Sequence, residues 1–238
     1  MRLSVVVPAY NEEARIAGLL EILEKSLAEL GDDFEIVVVD DGSADDTRHR
    51  VSGDRVELVV HEQNRGKAAA VQTGLARTTG SYVAVLDADL EYTPADLLPM
   101  LDRAEQEGTI SVYGSRYLEP ANFRPGMLGR LRLLKGQELT SWLANWVLTA
   151  LVLVLFGKVI TDTLTGLKLY PGDFLRSQPL MSTGFEGDHE ITSRLIRSRI
   201  PIREVPICYS PRSRAEGKKI GPRDGVIAIG TFLRHRFR

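Results

Sequence analysis

Along the first half of the chain, short apolar runs alternate with stretches in which apolar residues recur every three or four positions. Leu3–Val7 is a β-branched run of strand length. Ile16, Leu19, Leu20, Leu23, Leu27 and Leu30 follow at helical spacing, and Gly31 marks a helix stop. Glu35–Val39 and Val56–Val60 predict two further strands. A small-residue helix follows Gly66 through Ala68, Ala69, Ala70, Val71 and Leu75. Tyr82–Leu86 predicts a fourth strand, Pro94 the first turn of another helix, and Ile110–Tyr113 a fifth strand. Strands this continuously apolar are covered on both faces, and their alternation with helices implies βαβ units. The expected fold class is α/β with a mainly parallel sheet.

The second half is less regular. A loop with Pro120, Pro125, Gly126 and Gly129 leads into an uncharged segment, Leu139–Gly157, with Trp142 and Trp146 near its start. A strand-like LKLY, a helix near Asp188–Arg197, a strand through Ile202–Ile207 and a basic loop complete the pattern. No linker divides the chain, so 1–238 reads as a single domain with a C-terminal elaboration.

Composition narrows the function. Hydrophobic residues make up 43% of the 238 positions, enough for a full core. The formal net charge is -2, which gives no push toward nucleic acid, and none is expected as a partner. A single cysteine, Cys208, excludes an internal disulfide and fits a reducing compartment. The apolar stretch in the opening MRLSVVVPAY is too short for a secretory signal.

The strand ends carry the chemistry. Open parallel sheets bind ligands beyond the carboxyl ends of their strands. Here the second strand ends at Asp40 and Asp41, and the fourth at Asp87, Asp89 and Glu91. If the chain stays extended, residues two apart point the same way and these last three acids converge. Carboxylates so placed repel unless a cation joins them, and a hard divalent ion, Mg²⁺ or Mn²⁺, fits best. Taken alone, such acids are also common turn and cap residues. The first strand ends in PAYNEE, with neither G-x-G-x-x-G nor a P-loop, which argues against a dinucleotide dehydrogenase or a P-loop enzyme. Tyr10 offers a face to a base or sugar and Glu12 an acceptor; acids at a helix N-terminus give the same letters. Asn64, Arg65, Gly66 and Lys67 put a glycine and a cation at a helix start, which suits a diphosphate or a solvated cap equally.

PAYNEE, VVVDDGS, NRGKAAA, YVAVLDADLEY and GSRY, in that order, resemble the family 2 glycosyltransferases of the GT-A fold. TDTLTGLKLY, GFEGDHEI, EVPICY and EGKKIG resemble the branch with dolichyl-phosphate mannose synthases and bacterial polyprenyl-phosphate glycosyltransferases. The resemblance covers nearly the whole chain. It implies a nucleotide-sugar and metal half, 1–115, and an acceptor half, 116–238. It places Pro8, Tyr10, Glu12 and Asp40 in a nucleoside pocket with Asp41 beside them, and counts Lys67 and Ala88 with the donor site. Asp87 and Asp89 would bind the metal, with Glu91 as a further oxygen ligand. Arg116, Arg212 and Lys218 would meet phosphates, and Arg132 the acceptor phosphate. Asp89 and Arg116 are the residues on which catalysis would depend most. Gly187 stands where relatives often carry a bulkier residue.

The implied reaction is an inverting transfer of mannose or glucose from a GDP- or UDP-linked donor to a polyprenyl phosphate. A hydroxyl acceptor would need a general base, for which Glu186 and Asp188 are candidates and His189 a weaker one. A phosphate acceptor is already anionic, and those acids then read as a helix N-terminus. A glycosyltransferase with a soluble hydroxyl acceptor, a nucleotidyltransferase and an inactive nucleotide-sugar binder are the alternatives. A spanning helix needs about 20 predominantly apolar residues. The segment 139–157 barely reaches that length and carries Thr140, Ser141, Asn145 and Thr149. A single crossing there would also part the late motifs from the metal site. It is expected to be a core helix or an interfacial one. With the basic, aromatic end from Phe232 to Arg238, this implies peripheral attachment to the cytoplasmic, inner face of a membrane.

Overall fold

The computed structural model describes residues 2–118, 139–210 and 222–237; in the helices beginning at 139 and 222 it describes side chains from 143 and 225 onward. The β-branched runs form a seven-stranded sheet: β1 Leu3–Ala9, β2 Phe34–Asp40, β3 Val56–Val60, β4 Tyr82–Val85, β5 Ser111–Ser115, β6 Lys168–Pro171 and β7 Ile202–Pro206. Their order is β3-β2-β1-β4-β6-β5-β7. All neighbours pair in parallel except β6, which runs antiparallel to both β4 and β5. This reversal has a functional consequence. Lys168 lies opposite Val85, so the residues just before β6 emerge at the same edge as the carboxyl ends of β1, β2 and β4.

Helices cover both faces. The expected first helix is α1, Ile16–Leu27, with Ile16, Leu19, Leu20, Leu23 and Leu27 buried beneath β1 and β2. Each such side chain contributes about 1.5–3 kcal/mol on burial. The periodic pattern runs on to Leu30, but the last turn tightens into a 3₁₀ helix, Ala28–Leu30, and Gly31 leaves it at φ 58°. On the same face, α3 (Leu97–Glu107) follows a 3₁₀ turn at Pro94–Asp96. The opposite face is covered by α2 (Lys67–Leu75), α4 (Leu139–Phe156), α6 (Gly187–Arg197) and α7 (Pro222–Phe237), with the short α5 (Gly172–Arg176) between β6 and α6. α2 sits very close to β1 because Gly74 has no side chain; a Cβ there would come 2.5 Å from Val6 Cγ1.

The uncharged segment 139–157 forms a helix with one buried face, as a core helix would have, and one exposed apolar face. Asn145, Leu148 and Val152 face inward, and Asn145 Nδ2 donates to Thr161 O at 2.7 Å. The outward line of α4 is apolar: Leu143, Val147 and Val154, 82% exposed, with Trp146, 63% exposed, and Leu153 beside it. α7 packs alongside through Phe232, which meets Phe156, and Arg236 Nε donates to Leu155 O at 2.6 Å. Its outward side adds Val226, Ile227, Leu233 and Phe237. Among the described residues no helix is long and apolar enough to cross a membrane.

Candidate functional site

β1 connects onward to β2 on one side, whereas β4 lies on its other side, so the strand order reverses between β1 and β4. In open α/β sheets ligands bind at such a point, beyond the carboxyl ends. β1 runs into Pro8, Ala9 and the half-exposed Tyr10, and Asn11 turns the chain at φ 54°. The Asn11 N–H donates to Ser43 Oγ at 2.9 Å, and its Oδ1 accepts the Ala44 N–H at 2.9 Å. Those bonds tie PAYNEE to the loop after β2 and set Tyr10 near Asp40. Glu12 is buried; its N–H donates to Thr47 Oγ1 at 2.8 Å and its carboxylate accepts from Arg15.

The two acids ending β2 differ. Asp40 Oδ1 accepts the Ser43 N–H at 3.1 Å and the Ser43 hydroxyl. Its Oδ2 is buried with no hydrogen-bond partner among the described residues. A buried carboxylate oxygen is costly to leave without a donor. Asp41 has no such vacancy. It accepts the N–H groups of Arg65 at 2.9 Å and Gly66 at 2.8 Å, and His61 Nδ1 lies 2.6 Å away. Asp41 therefore shapes the loop leading into α2.

The N-terminus of α2 corrects one expectation. The Ala68 and Ala69 N–H groups donate to Thr183 O at 2.9 and 3.2 Å. Gly66, at φ 94°, is needed for this approach, since a Cβ would fall 2.4 Å from that same oxygen. These amides are neither solvated nor turned to a diphosphate; a distant segment caps them. The cation of the motif is placed differently. Lys67 Nζ lies 2.8 Å from Asp87 Oδ1 and 3.3 Å from Asp188 Oδ2. Burial alone would lower the ammonium's pKa; Asp188 and Asp87 outweigh it and raise it. For Asp188, burial pushes the carboxyl up, and Lys67 and Lys168 more than reverse that, bringing it down to about 2.

The convergence of Asp87, Asp89 and Glu91 is also corrected. β4 ends at Val85, the chain turns through Ala88–Leu90, and Leu90 has φ 60°, so the alternation of an extended strand is not maintained. Asp89 Oδ1 accepts the Glu91 N–H at 3.1 Å. Glu91 Oε2 accepts the Tyr209 hydroxyl at 2.8 Å. Among the described residues no three His, Cys, Asp or Glu side chains gather around one point. Asp87 and Asp89 nevertheless fit a hard ion, which commonly takes two carboxylates together with phosphate oxygens and water. That Asp87 already holds an ammonium in contact shows that this edge accommodates a cation. Gly166 makes room beside it, since a Cβ there would come 2.7 Å from Asp87 Oδ2.

Arg116 follows β5 and is locked by a partner that the sequence reading did not single out. Asp162, fully buried in the TDTLTG segment, receives Arg116 Nε and Nη2 at 2.7 Å each and the Arg116 N–H at 3.0 Å. Asp162 N–H and Thr161 N–H in turn donate to Glu204 of β7 at 3.0 and 2.9 Å. Burial pushes the Glu204 carboxyl up. The Arg116 guanidinium lies 4.9 Å from the Tyr209 ring centroid. Lys168 was also missed. It is 2% exposed, donates to Thr163 O at 3.2 Å and sits 5.0 Å from the Tyr113 ring, and burial lowers its pKa. The available signals were a lone acid among threonines and a lone lysine inside LKLY. Of the other candidates, Glu186 Oε1 accepts the Gly184 N–H at 3.2 Å, and His189 is buried against Phe232 with its pKa pushed down to about 4 by burial. Arg132, Arg212, Lys218 and the side chain of Trp142 lie outside the described residues.

A mostly parallel sheet flanked by helices, with acidic residues at its carboxyl edge, has the architecture of a GT-A glycosyltransferase. Residues 4–152 match the sequence profile of glycosyl transferase family 2. The chain belongs to that family. It is 27% identical over 249 aligned positions to the dolichol-phosphate mannosyltransferase of Pyrococcus furiosus, covering 100% of this chain and 63% of that protein. It is 32% identical over 223 positions to the dolichyl-phosphate beta-glucosyltransferase of Saccharomyces cerevisiae, covering 87% and 66%. The chain thus spans slightly less than two thirds of the length of these relatives. The fold is shared with the glucosyl-3-phosphoglycerate synthase of Mycobacterium tuberculosis in its complex with Mn²⁺, UDP and phosphoglyceric acid. That similarity has a TM-score of 0.72 and 24% identity, over 99% of this chain and 78% of that one.

Proposed function

We propose that this chain transfers mannose or glucose, with inversion, from a nucleotide-diphosphate sugar to a polyprenyl phosphate. The observation that carries this reading is the state of Asp188. It stands where a general base would be sought, yet it is ion-paired to Lys67 and held at a pKa of about 2. A carboxylate so stabilised is a poor proton acceptor at neutral pH. The site suits an acceptor that brings its own negative charge, as a lipid phosphate does. The names of the two relatives above support the same acceptor class.

In this reading Asp40 Oδ2 accepts an N–H of the donor base and Tyr10 supplies a stacking face, with Pro8 and Glu12 shaping the loop that carries it. Asp87 and Asp89 would hold Mg²⁺ or Mn²⁺, with Ala88 between them, and Glu91 stays with Tyr209. An ion held there would supply positive charge against the negative charge of the leaving diphosphate. Lys67 adds positive charge on the donor side. Arg116, fixed by Asp162 through Nε and Nη2, presents its Nη1 edge to the acceptor phosphate. The outward apolar sides of α4 and α7, edged by the exposed Lys158, Arg234 and Arg236, bring the enzyme to the cytoplasmic face of an anionic membrane, where a long-chain lipid phosphate resides.

The acceptor tests this reading. With labelled donors and Mg²⁺, polyprenyl phosphate should be glycosylated, whereas the matching polyprenol and phosphoglyceric acid should not. Transfer to either hydroxyl acceptor at a rate equal to or above that of the phosphate would replace it with the hydroxyl-acceptor reading.

A further inference from the structure

Lys67 is bound to two acids at once, and they belong to different parts of the molecule. Asp87 lies just beyond β4 at the ion-binding edge; Asp188 lies in the first turn of α6. The three side chains are only 12%, 24% and 19% exposed, so their contacts are little weakened by water. The backbone on either side is fixed. Asp41 holds the amides of Arg65 and Gly66, Thr183 O holds those of Ala68 and Ala69, and α6 is pressed against α2 where Gly187 meets Ala68. What can move is the lysine stem, a flexible four-carbon chain ending in a compact charge. It occupies the carboxylate that the proposed function assigns to a divalent ion.

We infer that Lys67 is a placeholder cation: it neutralises Asp87 in the metal-free enzyme, yields Asp87 Oδ1 to an arriving divalent ion, and pivots on Asp188 to meet the donor diphosphate. This rests on the reading that Asp87 and Asp89 hold the ion. The second acid makes the exchange feasible. A buried ammonium that lost its sole counter-ion would be strongly penalised. On leaving Asp87, Lys67 keeps Asp188, 3.3 Å away before any movement. The two ligands are thereby coupled. Lys67 competes with the ion when no nucleotide is present and assists the nucleotide once the ion has bound, and such coupling is reciprocal between the ligands. Lys168 provides an internal control. It belongs to the same buried cluster and feels the charge of Asp87, but its ammonium donates to Thr163 O rather than to that carboxylate.

Mn²⁺ binding, read from the paramagnetic resonance of the free ion, tests this in the parent protein, Lys67→Met and Lys168→Met, each without nucleotide and with UDP or GDP. Lys67→Met should bind Mn²⁺ alone about fivefold more tightly, the size of one partly shielded charge contact. At saturating Mn²⁺ it should bind its preferred nucleoside diphosphate about tenfold more weakly, as expected for a lost charge-assisted contact. Lys168→Met, which alters the field without vacating Asp87, should change Mn²⁺ affinity by less than Lys67→Met. Lys67→Gln, with a matched melting temperature, guards against a folding artefact. Unchanged or weaker Mn²⁺ binding by both folded Lys67 variants overturns the inference and leaves the proposed function standing. An equal gain in Lys168→Met overturns it too, because the field alone would then explain the effect. If the parent binds no Mn²⁺ with or without nucleotide, the metal-dependent reading falls and the inference with it.

Discussion

Single residues at the acidic edge are distinguished by what already occupies their oxygens. Asp41 is filled by backbone amides, Asp162 by Arg116, and Asp188 by Lys67, whereas Asp40 keeps one buried oxygen without a donor among the described residues. These differences define two mutational outcomes. Asp89→Ala removes a turn carboxylate at the edge of the sheet, where it accepts the Glu91 N–H, so it should lower transfer by about a hundredfold or more in a protein that still unfolds cooperatively. Measured activity in Mg²⁺ equal to that of the parent would remove Asp89 from the ion site. Asp162→Asn leaves Arg116 buried without its charge partner, and should cost about 3–5 kcal/mol in urea unfolding as well as activity. Asp40, Asp41, Asp87 and Asp89 stand out in the sequence as candidates because strand ends in a parallel sheet are where ligands bind. Asp162 and Lys168 do not, because no local pattern announces that a segment preceding a short reversed strand will return to that edge.

At the level of elements, α6 is the piece on which the site is assembled. It carries Asp188 toward Lys67, rests on α2 through Gly187, and faces α7 through His189 and Phe232. A Cβ on Gly187 would lie 2.5 Å from Ala68 Cβ. Gly187→Ala should therefore destabilise the fold by about 1–3 kcal/mol through overpacking, with Ala68→Gly restoring part of the loss. Strict additivity of the two changes would show that the helices do not meet there. His189 gives the junction a pH dependence. It faces Asp188, Lys168 and Lys67, and burial holds it neutral in the fold down to about pH 4, against an ordinary value of 6.5. Between those values the unfolded chain binds the extra proton, so this contribution to stability is complete above pH 6.5 and is lost as the pH falls toward 4. The loss should be on the order of 1–3 kcal/mol, and His189→Leu should flatten it in unfolding curves at pH 7 and pH 5. The same pH dependence in the variant would assign it elsewhere. Most elements were legible from periodicity. The strand reversal at β6 and the capping of α2 by Thr183 were not, since both are set by residues more than 50 positions apart.

In the whole molecule one sheet carries the acidic carboxyl edge, and two of the helices packed on its face, α4 and α7, carry the exposed apolar side. α4 was ambiguous in the sequence because an unbroken uncharged run hides which of its faces is buried; packing assigned Asn145, Leu148 and Val152 to the interior and Trp146 and Val154 to the outside. If that outer side meets lipid, Trp146→Ser with Val154→Ser should reduce flotation with anionic vesicles and leave thermal stability nearly unchanged. Equal flotation of the double variant and the parent would remove α4 from the membrane contact. The central claim is sugar transfer to a lipid phosphate, and one measurement bears on it most directly. The protein is incubated with vesicles containing polyprenyl phosphate and a panel of labelled UDP- and GDP-sugars, with Mg²⁺ or with EDTA, and the organic-extractable label is counted. The account expects label in the lipid fraction from a hexose donor with Mg²⁺ and none with EDTA. Label confined to water-soluble products, or lipid label undiminished by EDTA, would contradict it.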